Sequence, residues 1–102
     1  MKVPREGLDE ELILDVANFF DALGNPTRLK ILISLIREEL CTNDLSEIVG
    51  LSISAISHQL RILKDRKIVA YRKEGKNVFY RLDDEHVKGI LEAALEHLRE
   101  ER

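Results

Sequence analysis

The chain has 102 residues, 44% of them hydrophobic and 34% charged, with a formal net charge of −3. That length suits one domain (residues 1–102) with a modest core, small enough that pairing with a second copy would help to bury apolar surface. The single cysteine, Cys41, excludes an internal disulfide framework, and "MKVPREGLDEEL" has no apolar signal core, so a cytoplasmic protein without membrane contact is expected.

Leu12, Ile13, Val16, Phe19, Phe20 and Leu23 recur at helical spacing and predict a first helix over residues 8–22. In "LGNPTRLKILISLIREE", Gly24 breaks that helix and Asn25 can cap the next. Pro26 fits its first position, where a missing N–H costs nothing. Leu29, Leu32, Leu35 and Ile36 form its buried stripe. A short helix is predicted over residues 43–48, capped by Thr42 and ended by Gly50. The next, "LSISAISHQLRILKDRK", opens at a Ser52 cap and runs to about Asp65.

Two helices joined by a tight glycine-containing turn, the second opening with small polar residues and ending basic, form a helix-turn-helix pattern over residues 43–65. Ser54, Ser57, His58 and Gln59 are short or planar polar groups near the start of its second helix, suited to base edges, while Ala55, Ile56, Leu60 and Leu63 would face the core. Spacing alone equally describes an ordinary amphipathic helix pair. In "KIVAYRKEGKNVFYRL", two alternating runs flank Gly75 and predict a hairpin over residues 68–82, with Arg72, Lys73 and Lys76 at or near its tip. A basic hairpin after a recognition helix is a wing, placed to touch the DNA backbone.

The charge distribution supports that reading more than the net charge does. Residues 54–81 carry eight Lys or Arg, Arg61 among them, against Asp65 and Glu74, a local +6 inside a chain whose remainder is −9. It is the local field that meets phosphate, although the same run also describes a solvated surface.

The last segment, "DDEHVKGILEAALEHLREER", predicts a helix over residues 84–100 capped by Asp83 or Asp84. Val87, Leu91, Ala94 and Leu98 form one stripe. His86, Gly89, Ile90, Ala93, His97 and Glu100 form a second. His86 and His97 share a face but stand about 16 Å apart along the axis, so one ion cannot touch both on one helix. The His86/His97 and Asp84/Glu100 pairs share one midpoint, near Leu91 and Glu92. Two such helices packed antiparallel about that point would bring Asp84 and His86 of one chain to His97 and Glu100 of the other, forming two identical sites. Asp84 must then lie in the non-helical cap, because two helical residues at that spacing point about 200° apart. Two imidazoles and two carboxylates make the closed tetrahedral set that Zn(II) accepts; Co(II) also fits, and Ni(II) would want more ligands. A metalloenzyme would leave a position open for water. Taken alone, the same residues also suit a solvated helix face.

Over nearly its whole length the chain resembles the ArsR/SmtB-type winged-helix metal-sensing repressors. "FFDALGNPTRLKILISL" is similar to the family's opening helix pair, "ELCTNDLSEIVGLSISAISHQLRILK" to its helix-turn-helix, and "GKNVFYRLDDEHV" to its wing and the start of its last helix. In the zinc- and cobalt-sensing branch the last helix carries Asp-x-His and, eleven residues after that His, His-x-x-Glu or His-x-x-His; Asp84, His86, His97 and Glu100 match it. The family's thiolate site needs Cys-x-Cys, and here Asn43 follows Cys41 at the second position, so no soft-metal site is expected. Ile53 stands where many relatives have a polar residue, which leaves open which bases are read.

The resemblance implies a mainly α fold with a small β-hairpin, a winged helix-turn-helix in the order ααααββα, dimeric through the N- and C-terminal helices. It implies a repressor that binds double-stranded operator DNA and is released by Zn(II), with Co(II) or Ni(II) as other effectors. Arg61, Arg72, Lys73 and Lys76 would meet phosphate. The competing reading is a winged-helix regulator without a metal effector, responding through oxidation of Cys41.

Overall fold

The computed structural model describes residues 8–100. Helix α1 spans Glu10–Leu23, beginning at Asp9, whose carboxylate accepts from the Glu11 and Leu12 amides. Gly24 ends it, and α2 (Pro26–Ser34) starts one residue after the Asn25 cap, whose side chain accepts from the Arg28 amide. The caps anticipated from Gly24, Asn25 and Pro26 are therefore all in place. Leu35 and Ile36 lie beyond α2, in the turn that leads to a two-residue strand, β1 (Leu40–Cys41).

Helix α3 (Thr42–Val49) begins a residue earlier than expected, so Thr42 is helical and Cys41 occupies the cap position. Asp44 accounts for this: its carboxylate accepts from both the Cys41 amide and the Cys41 thiol, closing the first turn on the residue before Thr42. Gly50 follows with φ 79°, a left-handed conformation that costs glycine little, and its N–H donates to the Ser46 carbonyl at 2.9 Å. Helix α4 (Ile53–Asp65) opens at Ser52, whose hydroxyl accepts from the Ala55 amide.

Strands β2 (Val69–Glu74) and β3 (Asn77–Leu82) pair antiparallel from Val69 opposite Leu82 to Glu74 opposite Asn77, with Gly75 and Lys76 as the turn. β1 adds to the far side of β3, Leu40 opposite Tyr80 and Cys41 opposite Phe79, so the wing is a three-stranded sheet in the order β1-β3-β2. Two residues are too few to show strand periodicity, which is why the expected order lacked β1. Helix α5 (Glu85–Glu100) closes the chain.

The core lies among α2, α3, α4 and the sheet, where Ile31, Leu32, Leu45, Ile56, Leu60 and Leu63 are fully buried. α5 adds only Val87 and Leu91 to it, and α1 only Ala22 and Leu23 at its end. Phe19 packs half-buried against the core, while Leu12, Val16 and Phe20, one turn apart, stay outside it, 56%, 45% and 53% exposed. Ala94 and Leu98 of α5, expected in an apolar stripe, are exposed as well. Among the described residues no helix is long and apolar enough to cross a membrane.

Candidate nucleic-acid interface and metal-ligating helix

α4 buries Ile56, Leu60 and Leu63 on one side. Ser54, Ser57, His58 and Arg61 are all exposed and fall within an arc of about 100° on the other. Gln59 departs from the expected set. It lies about 100° round the helix from His58, is half-buried, and its side-chain oxygen accepts from Arg28 Nε of α2 at 2.9 Å. At the C-terminal end, Arg66 donates to the Asn18 carbonyl of α1 at 3.0 Å. Neither tie was visible in the sequence, because each joins residues at least 31 apart.

In the wing, Lys73 and Lys76 are exposed, and no ion pair among the described residues engages them. Arg72 is held. Its Nε meets Glu39 at 2.7 Å, its Nη1 meets Glu74, and its guanidinium lies 4.8 Å from the centre of the Phe79 ring. Those two carboxylates, Glu74 first, raise the Arg72 pKa above its ordinary value. Of the four cations expected on phosphate, Arg61, Lys73 and Lys76 remain outward-facing with no carboxylate partner among the described residues, while Arg72 is partly neutralised. Lys64 lies over the Tyr71 ring, 5.3 Å from its centre.

Asp84 stands outside α5, as a shared site with His86 requires. One of its oxygens accepts from the His86 and Val87 amides at 2.9 and 3.1 Å, and the other lies 3.4 Å from His86 Nδ1. The bond from the Val87 amide is the main cause of an Asp84 pKa below the usual carboxylate value, with His86 adding to it. The group is thus an anion at neutral pH, already beside an imidazole whose side chain is 92% exposed. His97 and Glu100 are exposed at the opposite end of the helix. The structure brings Asp84 together with His86 and leaves His97 and Glu100 apart from them; among the described residues no three His, Cys, Asp or Glu side chains of one chain gather closely enough to hold a metal ion. Beside Asp84 and His86 lies a hollow of about 370 Å³ lined by Val16, Phe19, Phe20 and Ile90, joining the exposed faces of α1 and α5. Cys41 is half-buried, its thiol directed at Asp44.

The segment from α2 into β2, residues 25–71, matches the family described as bacterial regulatory protein, arsR family. A cadmium resistance transcriptional regulatory protein CadC homolog from Staphylococcus aureus is 47% identical over 97 residues, 94% of this chain and 80% of that protein. The chain belongs to the ArsR family. A second ArsR relative, a transcriptional repressor SmtB homolog from Synechocystis sp., is 46% identical over 85 residues; the match takes in 83% of this chain and 64% of that longer protein. Among solved structures, the homodimeric winged helix-turn-helix DNA-binding domain from Mycobacterium bovis superposes with a TM-score of 0.81 at 28% identity, covering 98% of this chain and 89% of that one. The fold is accordingly the winged helix-turn-helix of ArsR regulators, and the relatives named here are regulators of transcription rather than enzymes.

Proposed function

We propose that the chain is a metal-responsive transcriptional repressor that binds operator DNA as a homodimer and releases it when Zn(II) occupies sites shared between the two α5 helices. The observation that carries this reading is the placement of Asp84: outside the helix, ionised, and 3.4 Å from His86, with the other two candidate ligands at the far end of α5. Half a site at each end of one helix is what an antiparallel pair would complete. The apolar faces of α1 and α5 flank the Asp84 end, so a second copy would cover Val16, Phe20 and Ile90 and bring its own His97 and Glu100 to Asp84 and His86. The cadmium resistance named for the staphylococcal relative and the homodimer named for the mycobacterial domain support a metal effector and a dimer here.

The donor set fits the ion. Two imidazoles and two carboxylates balance a dication and leave no open position, and bound Zn(II) would supply a rigid link between chains; Co(II) would be held by the same residues, and Ni(II) by these with further ligands. The protein's part is mechanical. Ser54, Ser57 and His58 enter the major groove, with Arg61, Lys73 and Lys76 on phosphate. Two recognition helices must meet groove faces about 34 Å apart, so a small change in how the halves sit spoils the fit. A short path joins the two regions: the Asp83 amide, next to Asp84, donates to the Ile68 carbonyl at 2.9 Å, three residues after α4 ends. By reciprocity, DNA must weaken metal binding by the factor with which metal weakens DNA binding.

The test is fluorescence anisotropy of a labelled palindromic duplex, titrated with protein in chelator and then in buffered free Zn(II), Co(II) or Ni(II). At least one metal should lower affinity by tenfold or more, an order typical of such coupling. His97→Ala should abolish the response while leaving metal-free binding intact. Release by metal that persists in His97→Ala would sink the α5 site.

A further inference from the structure

Among the described residues, the only hydrogen bond between side chains that ties α4 to another element is the one from Arg28 Nε to Gln59 Oε1, the other polar tie being Lys64 over the Tyr71 ring. An arginine has no acceptor, so the amide oxygen must face it, and chemistry alone orients the Gln59 amide. No carboxylate among the described residues pairs with Arg28. The bond thus joins an unneutralised cation to a neutral oxygen in a half-buried place, where charge-assisted bonds are the stronger kind. Everything else on the buried side of α4 is aliphatic: Ile56, Leu60 and Leu63 resist separation but are weakly directional. A rotation of α4 by about 20° about its axis would carry side-chain tips near 6 Å from that axis by roughly 2 Å, enough to break a base contact. The Arg28 bond opposes that rotation.

We propose that Arg28 is a positioning residue for DNA recognition: through Gln59 it fixes the rotation of α4, and with it which of Ser54, Ser57 and His58 meets the bases, without reading a base itself. This rests on the DNA-binding reading above and revises the role of Gln59 from base reader to acceptor for the brace. Its placement away from the Ser57, His58 and Arg61 face is the reason.

The experiment uses a palindromic duplex enriched from a random pool by the wild-type protein, together with its single-base variants. Arg28→Ala and Gln59→Ala should each lower the affinity ratio between enriched and altered duplexes by about fivefold, the scale of one hydrogen bond. The double variant should be no worse than either single one. Gln59→Glu keeps an acceptor for Arg28 and should hold the ratio within about twofold, although it loses the amide donors. The salt dependence of Arg28→Ala should match the wild type. Additive losses, a loss confined to Gln59 variants including Gln59→Glu, or a flattened salt slope in Arg28→Ala would overturn the proposal, the last two by making Gln59 a reader or Arg28 a phosphate contact. NMR reads the bond without DNA: the Arg28 Nε–H resonance should shift and exchange faster in Gln59→Ala. An unresponsive resonance, with duplex binding intact, overturns the brace alone. A responsive resonance in a protein that enriches no duplex overturns the DNA-binding reading, and the positioning role with it.

Discussion

At the scale of single residues, the structure separates cations that the sequence had grouped. Lys76 faces solvent from the wing turn, whereas Arg72 spends its guanidinium on Glu39 and Glu74. Lys76→Ala should therefore reduce the salt slope of DNA binding by about one phosphate's worth without altering base preference. Arg72→Ala should change the slope less, because a guanidinium already engaged by Glu39 and Glu74 has little charge left to displace counterions from phosphate; affinity measured over a salt series checks both. Cys41 also becomes specific. Its thiol and amide both point at Asp44, so Cys41→Ser should preserve the start of α3 and the response to zinc. Loss of metal-induced release in Cys41→Ser would favour a thiol-based switch. The residue types at these positions were legible in the sequence, but their partners were not: Glu39 reaches Arg72 across 33 positions, a distance at which local pattern carries no information.

At the scale of elements, helix boundaries followed from caps and periodicity to within a residue or two, since Asn25 and Ser52 bond only to amides three positions on; the Asp9 cap, which starts α1 two residues later than expected, was not read. Two left-handed residues flank α4. Gly50 has φ 79° and ends α3; Lys67 has φ 60° and follows α4, where the Ile68 amide reaches back to the Leu63 carbonyl at 2.9 Å. The first was legible because glycine announces it. The second was not, because lysine does not. Gly50→Ala should destabilise the fold by about 1 kcal/mol through backbone strain, since a Cβ there meets no neighbour. Lys67→Gly should stabilise it, by less than about 1 kcal/mol once the added freedom of the unfolded chain is subtracted. Urea unfolding measures both, and equal signs for the two substitutions would contradict the conformations at 50 and 67.

At the scale of the whole molecule, the proposed site is a property of two chains. His86→Ala and His97→Ala homodimers each carry two sites lacking one imidazole, and both should bind zinc poorly. In the heterodimer, one site takes intact His86 from the His97→Ala chain and intact His97 from the His86→Ala chain, while the other lacks both. Isolated heterodimer titrated against a competing chelator should recover one tight zinc per dimer. Recovery of none would point to ligands drawn from a single chain and remove the antiparallel pairing of α5. The exposed Leu12, Val16 and Phe20 belong to the same scale, because an apolar row on α1 that the single chain leaves in water would be covered by a second molecule in the proposed dimer.

Sequence by itself determined the helices, the hairpin and the face of α4 that looks outward, because caps, turn glycines and apolar spacing act over a few residues and need no partner. It also determined the donor types along α5, whose common midpoint is a matter of counting. Tertiary structure alone decided which charges are spent and which remain, that β1 joins the wing, and that Gln59 turns toward Arg28. Those outcomes depend on the approach of segments remote in the chain. A side chain's bonding is set by whichever donor or acceptor the fold brings within about 3 Å, and no local pattern specifies that neighbour.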